Sequence, residues 1–177
     1  MASLVERMLG AARLDPATYE EVEADRTATL QAALVVVVSS VCIALGTMRS
    51  QPGGLVGVTL LRLAGWYIWA LVTYLVGTRI LPGPRTEADV GQMLRTLGFA
   101  SAPGIAGILA GLPGVGGIAA LLVTVWMIAA MVVAVRQALD YESTGRAVGV
   151  VLIGFLAYLL ISVVVAGMLV GTVREAG

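Results

Sequence analysis

Between Arg95 and Arg136 the chain runs for 40 residues without one charged side chain. A helix needs about 20 apolar residues to cross the roughly 30 Å hydrocarbon core of a bilayer. Forty residues correspond to about 60 Å of helix at 1.5 Å per residue, which is two crossings. Gly111-Leu112-Pro113-Gly114-Val115-Gly116-Gly117 lies between them. Gly and Pro break the helix there and relax the backbone for a tight reversal. Thr27 to Met48 and Ala147 to Val173 are also free of charge, and each is long enough for one crossing.

The remaining apolar run, Leu55 to Leu81, contains Arg62. A span from Leu55 to Ile80 puts Arg62 about 11 Å deep, whereas a span from Leu63 to Leu81 leaves it at the interface. Trp66, Tyr67 and Trp69 follow closely, and such aromatic residues favour the headgroup level. No Asp or Glu occurs in any span to pair with a buried Arg. The simpler reading has Arg62 snorkelling to the outer headgroups. The sharper reading makes it a site for a lipid phosphate or a partner's carbonyl.

The expected fold is therefore all-α, a polytopic membrane helix bundle of five transmembrane helices with a short N-terminal amphipathic interfacial helix. Residues 1–28 form the N-terminal segment and 29–173 the membrane domain, with spans near 29–48, 57–81, 95–111, 115–135 and 147–172. With the N-terminus in the cytoplasm, Arg7, Arg13, Arg26, Arg79, Arg85, Arg95, Arg136 and Arg146 face inward, and Arg49 and Arg174 face outward. That is the bias of the positive-inside rule. It predicts a multi-pass protein of the inner (plasma) membrane with its C-terminus outside.

Composition agrees. The chain is 59% hydrophobic and 12% charged, against about a quarter charged in soluble proteins. Its formal charge is zero, so no basic excess suggests nucleic acid as a partner. Lys, His and Asn are absent, a usage that a GC-rich prokaryotic genome would explain. Without His, the commonest metal ligand and proton shuttle is missing. Cys42 is the only cysteine, lies in an apolar run and reads as a small buried residue. The stretch before Leu30 carries mixed charge, unlike the short basic region of a cleaved signal peptide.

In the N-terminal segment, Leu4, Val5, Met8, Leu9 and Ala12 form a helical stripe about 140° wide. Ser3, Glu6, Arg7, Gly10 and Arg13 fall opposite. The pattern predicts a helix lying in the membrane interface, with docking in a protein groove as the alternative. Asp15-Pro16 opens a second helix: Asp suits the N-cap and Pro the first helical position. Glu20, Glu21, Glu23 and Asp25 then read as a solvated face, or as an acidic patch for a basic partner. Thr86 and Asp89 resemble a capping box for a short helix from Glu87. Ser143 or Thr144 suits the cap of the last span.

Within the third span, Gly98-Phe99-Ala100-Ser101-Ala102-Pro103 predicts a kink near Phe99, because Pro103 cannot donate its backbone bond. Gly107–Gly111 and Gly167–Gly171 have the spacing of close helix contacts. No nucleophile–His pair, ligand cluster or phosphate-binding loop is present, so neither catalysis nor a cofactor is expected. No acidic group lies in the membrane for ion-coupled transport.

Leu14-Asp15-Pro16 with Tyr19-Glu20-Glu21 precedes the first span. Leu94-Arg95-Thr96-Leu97-Gly98-Phe99 and Pro103 mark the third, Trp126 the fourth, and Thr144-Gly145-Arg146-Ala147 opens the fifth. In order and spacing these resemble bacterial members of the YIP family, the Rab-interacting membrane proteins of eukaryotes. The resemblance covers nearly the whole chain and implies five spans with a cytoplasmic N-terminus. Eukaryotic members are linked to vesicle trafficking, small GTPases and membrane shaping. Here the N-terminal region is shorter, and the family's Gly-Tyr…Pro pattern stands as Gly98-Phe99…Pro103. The expected function is a non-enzymatic membrane scaffold or accessory subunit associating with lipids and with other membrane proteins or copies of itself. The alternative is a small-solute transporter using the Pro103 kink. Arg62, Gly98, Phe99, Pro103, Asp15 and Pro16 are the candidate positions.

Overall fold

The structure, a computed structural model, describes residues 2–47 and 54–175. Arg49, counted outward above, lies outside the described residues. Helix is the one kind of regular secondary structure among the described residues, with no strand. Helix α1 (Leu4–Ala12) and α2 (Pro16–Ala24) form a hairpin. Then come α3 (Ala28–Gly46), α4 (Gly54–Leu75, ending in a π-turn, Val76–Ile80), α5 (Val90–Phe99, extended by a 3₁₀ segment, Ala102–Gly111), α6 (Gly116–Ala138) and α7 (Thr144–Glu175). Among the described residues, five helices are long and apolar enough to cross a membrane: Ala28–Gly46, Leu55–Ile80, Val90–Gly111, Gly116–Ala138 and Thr144–Ile161. The membrane face at which α3 begins is called the N-terminal face below.

The third span changes helix type partway. Pro103 has no N–H and its ring clashes with the carbonyl of Phe99, so the α-helix stops at Phe99. The chain does not simply bend there, as the sequence suggests, but continues as ten residues of 3₁₀ helix. At about 2.0 Å per residue those ten residues cover roughly 20 Å. From Arg95 to Gly111 the chain thus rises about 30 Å, a bilayer core, where an α-helix would fall some 6 Å short. The Ser101 hydroxyl donates to Leu97 O at 3.4 Å.

The 3₁₀ segment packs backbone-to-backbone on α3. A Cβ at Gly107 would stand 2.5 Å from Ile43 Cγ1, and one at Gly46 would stand 2.2 Å from Gly107 O. The Gly107–Gly111 pair therefore serves this contact, where absent side chains let two helices touch. For Gly167–Gly171 only the helical backbone is described.

Loops at the N-terminal face are tied by long-range hydrogen bonds. The Tyr141 hydroxyl is shared between Gly77 O at 3.0 Å and Leu81 O at 2.5 Å. The Thr86 hydroxyl donates to Leu139 O at 3.0 Å and accepts from Gly83 N. This contact displaces the expected cap: with Thr86 engaged elsewhere, α5 starts at Val90, not Glu87. Its capping box is Asp89 with Gln92, whose side chains accept from each other's backbone N–H at 2.8 and 2.6 Å.

Candidate functional site

Two regions concentrate the polar chemistry. The first is the seam between the N-terminal hairpin and the bundle. Helix α1 opens with a capping box, Ser3 with Glu6. Asp15 caps α2, accepting from Ala17 N at 3.3 Å and from the Thr18 hydroxyl at 2.7 Å, with Pro16 at the first helical position. The fully buried Tyr19 donates its hydroxyl to Ala11 O at 3.1 Å and joins the two helices, and burial pushes the phenol's pKa up.

Arg7 corrects the amphipathic reading of α1. Its periodicity puts it on the polar side, yet it is 2% exposed. It pairs with Glu21 at 3.0 Å and Asp25 at 2.8 Å, and donates to Gln31 Oε1 at 2.9 Å. The stripe itself divides: Leu4, Met8 and Ala12 pack on the core, while Val5 and Leu9 are exposed. The reason is that α1 is covered on two sides, by α2 and by the third span. A single stripe cannot describe two contacts. The Asp25 carboxyl, which accepts from Thr27 and then from Arg7, is held down to about 2.

Arg95, 5% exposed, completes the seam from the bundle side. Its Nε lies 3.1 Å from Val22 O and 3.0 Å from Glu23 O, and Nη2 also donates to Glu23 O. These carbonyls end α2 and have no partner within their own helix, and the negative end of the helix dipole favours a cation there. Nearby, Glu23 accepts from Gln92 Nε2 at 2.9 Å. Burial first, then the Asp140 charge, raises its carboxyl to about 7; Arg95 opposes, and Glu20 and Asp89 add to the rise. Gln137 donates to Glu20 at 2.9 Å, and Trp126 Nε1 donates to Ala12 O at 2.7 Å.

The second region is a cavity of about 830 Å³ to which all five spans contribute. The lining residues nearest the N-terminal face, Leu97, Met131 and Val151, each lie seven residues, about 10 Å, from that end of their helices. Its other end reaches Val58, Thr124 and Tyr158. The wall is mainly apolar, and among the described residues Arg62 is its one charged lining residue. Arg62 stands eight residues, about 12 Å, along α4 from Gly54, and its side chain is exposed. Among the described residues Arg62 makes no ion pair.

The neighbouring aromatics do not form the expected headgroup belt. Trp66 turns inward and donates Nε1 to Leu94 O at 3.2 Å, and Trp69 packs edge-on against Tyr158 with ring centroids 5.9 Å apart. Only Tyr67 of the three is exposed. A carbonyl acceptor and a neighbouring ring are available inside the bundle, so two of the indoles stay there.

The candidate positions thus separate. Arg62 lines the cavity. Gly98, Phe99 and Pro103 are buried in packing: a Cβ at Gly98 would stand 2.6 Å from Ala32 Cβ on α3, and Phe99 is fully buried. Asp15 and Pro16 start α2 at the hairpin's tip. Arg7 and Arg95 were not singled out in the sequence. Their signals were an Arg with acids 14 and 18 residues downstream, and an Arg at the threshold of an uncharged run. The structure joins the scattered motifs: Tyr19 and Glu20 of the hairpin, Arg95 of the third span and Trp126 of the fourth all meet at the seam.

No curated protein and no solved structure matches the chain. The family model described as Yip1 domain matches residues 14–164, which takes in α2, all five spans and the hydrogen bonds linking them. The chain is a multi-pass membrane protein, and it belongs to the Yip1-domain family.

Proposed function

We propose that this protein is a non-enzymatic scaffold or accessory subunit of the inner (plasma) membrane, working through association with lipids and other membrane proteins. Its N-terminus is cytoplasmic and its C-terminus outside. The observation that carries this reading is the docked hairpin. Arg7 and Arg95, both buried, fix it to the bundle, so the N-terminal face is a preformed surface and not a loose tail. Val5 and Leu9 remain exposed on that hairpin and offer an apolar edge to lipid or to a partner. A preorganised face spares a partner the entropy of ordering it. Purification in mild detergent followed by crosslinking and mass spectrometry tests the reading. Reproducible partners or a defined oligomer are expected, and a strictly monomeric species with no crosslinked neighbour would overturn it. A cytoplasmic signal from a C-terminal reporter would overturn the orientation.

A second reading, passage of a small solute, is favoured by the cavity alone. Uptake of solutes into vesicles that depends on the reconstituted protein would support it.

A further inference from the structure

The cavity and Arg62 pose one physical problem. A charged side chain within a span costs about 2.5–3.5 kcal/mol on insertion scales, and such residues ordinarily pair with another group. The Arg62 guanidinium carries five N–H donors and accepts nothing. No Asp or Glu occurs in any span. Three lining hydroxyls satisfy themselves within their own helices: Ser40 donates to Val36 O, Ser101 to Leu97 O and Thr124 to Ala120 O. Tyr158 is an electrostatic neighbour of Arg62 but carries no formal charge to neutralise it. The wall beyond Arg62 is apolar and roomy, at about 830 Å³ within the usual range of roughly 300–1,000 Å³ for a site that encloses a small ligand.

We propose that this cavity binds one anionic amphiphile, whose phosphate or carboxylate head pairs with Arg62 and whose hydrocarbon occupies the apolar remainder. The inference rests on the lipid-association part of the function proposed above. Charge selects the head: an acceptor-only group with several oxygens matches the planar fork of a guanidinium, and such charge-assisted bonds are strongest where water is scarce. Shape and polarity select the tail, because Leu97, Ile128, Met131 and Phe155 offer it dispersion contacts and no unsatisfied polar partner. Two flexible methionines, Met127 and Met131, let the wall adapt to a chain of variable kink. The head has two sources, a membrane phospholipid or a free fatty acid, and they share this chemistry.

Trp66 and Trp69 line the cavity and make it self-reporting. The remaining tryptophan, Trp126, sits at the hairpin seam and is replaced by Phe so that only the cavity reports. The full-length protein is reconstituted in phosphatidylcholine vesicles, and brominated phosphatidylglycerol, brominated phosphatidylcholine or dibromostearate is added at equal mole fraction. Quenching by an anionic probe about tenfold more effective than by the zwitterionic one supports the site, a factor of ten being about 1.4 kcal/mol. Preference for the glycerophospholipid points to the membrane's own lipid, and preference for dibromostearate to a free fatty acid. Arg62→Gln should abolish the preference and Arg62→Lys should retain most of it. Thr124→Phe, which fills the cavity and keeps the charge, should weaken quenching by every probe. It also serves if Arg62→Gln fails to fold. Equal quenching by anionic and zwitterionic lipids, or an anionic preference that survives Arg62→Gln, overturns the proposal. If crosslinking still recovers partners in that case, Arg62 serves no lipid head while the scaffold reading stands.

Discussion

The hairpin seam and the cavity contain the same kind of residue in opposite circumstances. At the seam, Arg7 and Arg95 are almost wholly buried and fully engaged, one by carboxylates and one by the carbonyls that end a helix. In the cavity, Arg62 has no carboxylate to meet among the described residues. Burying Arg7 and Arg95 is tolerable because their donors are satisfied, whereas Arg62 stays exposed at the cavity wall. The seam is therefore structural in the narrow sense that its charges serve the fold. The cavity keeps a charge that no carboxylate among the described residues neutralises. That difference separates the part of the molecule that assembles it from the part available to a ligand.

The sharpest way to break this contrast is to remove the seam's cation from the bundle side. Arg95→Ala leaves the Val22 and Glu23 carbonyls buried without their donor and should destabilise hairpin docking by about 3 kcal/mol. Limited proteolysis would read this as faster cleavage within residues 2–27. Arg7→Met keeps the packing and removes the charge. It should cost about 2 kcal/mol, less than a deep pair because the Glu21 side chain is 40% exposed and can turn to water. Hydrogen exchange across α1 would show it. Trp126→Phe deletes one hydrogen bond, to Ala12 O, and should cost about 1 kcal/mol in the same assay.

Acidity gives a subtler test. Glu23 is raised from its ordinary 4.5 to about 7 in the docked state. The docked hairpin then holds a proton that the undocked one has lost. Docking is strongest below pH 4.5 and weakens as pH rises toward 7. Protease sensitivity of the hairpin should rise across that window, and Glu23→Gln should flatten the response. Asp25 works in the opposite sense and elsewhere, losing its contribution as pH falls from 3.8 toward 2. The smallest expected effect belongs to Arg62→Gln. No ion pair among the described residues is lost, so thermal stability in lipid-free detergent should change by less than about 1 kcal/mol. A loss as large as that of Arg95→Ala would erase the distinction between the two regions.

Much of this was legible along the chain, and the failures follow a pattern. The Asp15 cap with Pro16, the break at Pro103 and the turn at Gly111 to Gly117 are local events, settled by one residue's backbone chemistry. Thr86 was misassigned as a cap because its hydroxyl is taken by Leu139, 53 residues away. Trp66 was expected at the headgroups because its acceptor, Leu94 O, belongs to another helix. Arg7 was put on the wrong side because periodicity describes a helix with one neighbour, and α1 has two.

Apolar length by itself determined five membrane-crossing helices, four of them from charge-free runs and the second from a run that holds Arg62, since hydrocarbon admits no backbone without internal hydrogen bonds and few charges. Arg62's isolation from acids was equally plain in the sequence, because no acid exists in any span to meet it. Only the tertiary structure decided where each Arg would find its donors' partners. Arg95 and the end of α2 are 72 residues apart, and the cavity exists only where five helices come together to line it. Membrane insertion depends on local composition summed along one helix, whereas satisfaction of a charge depends on which distant groups packing brings within about 3 Å.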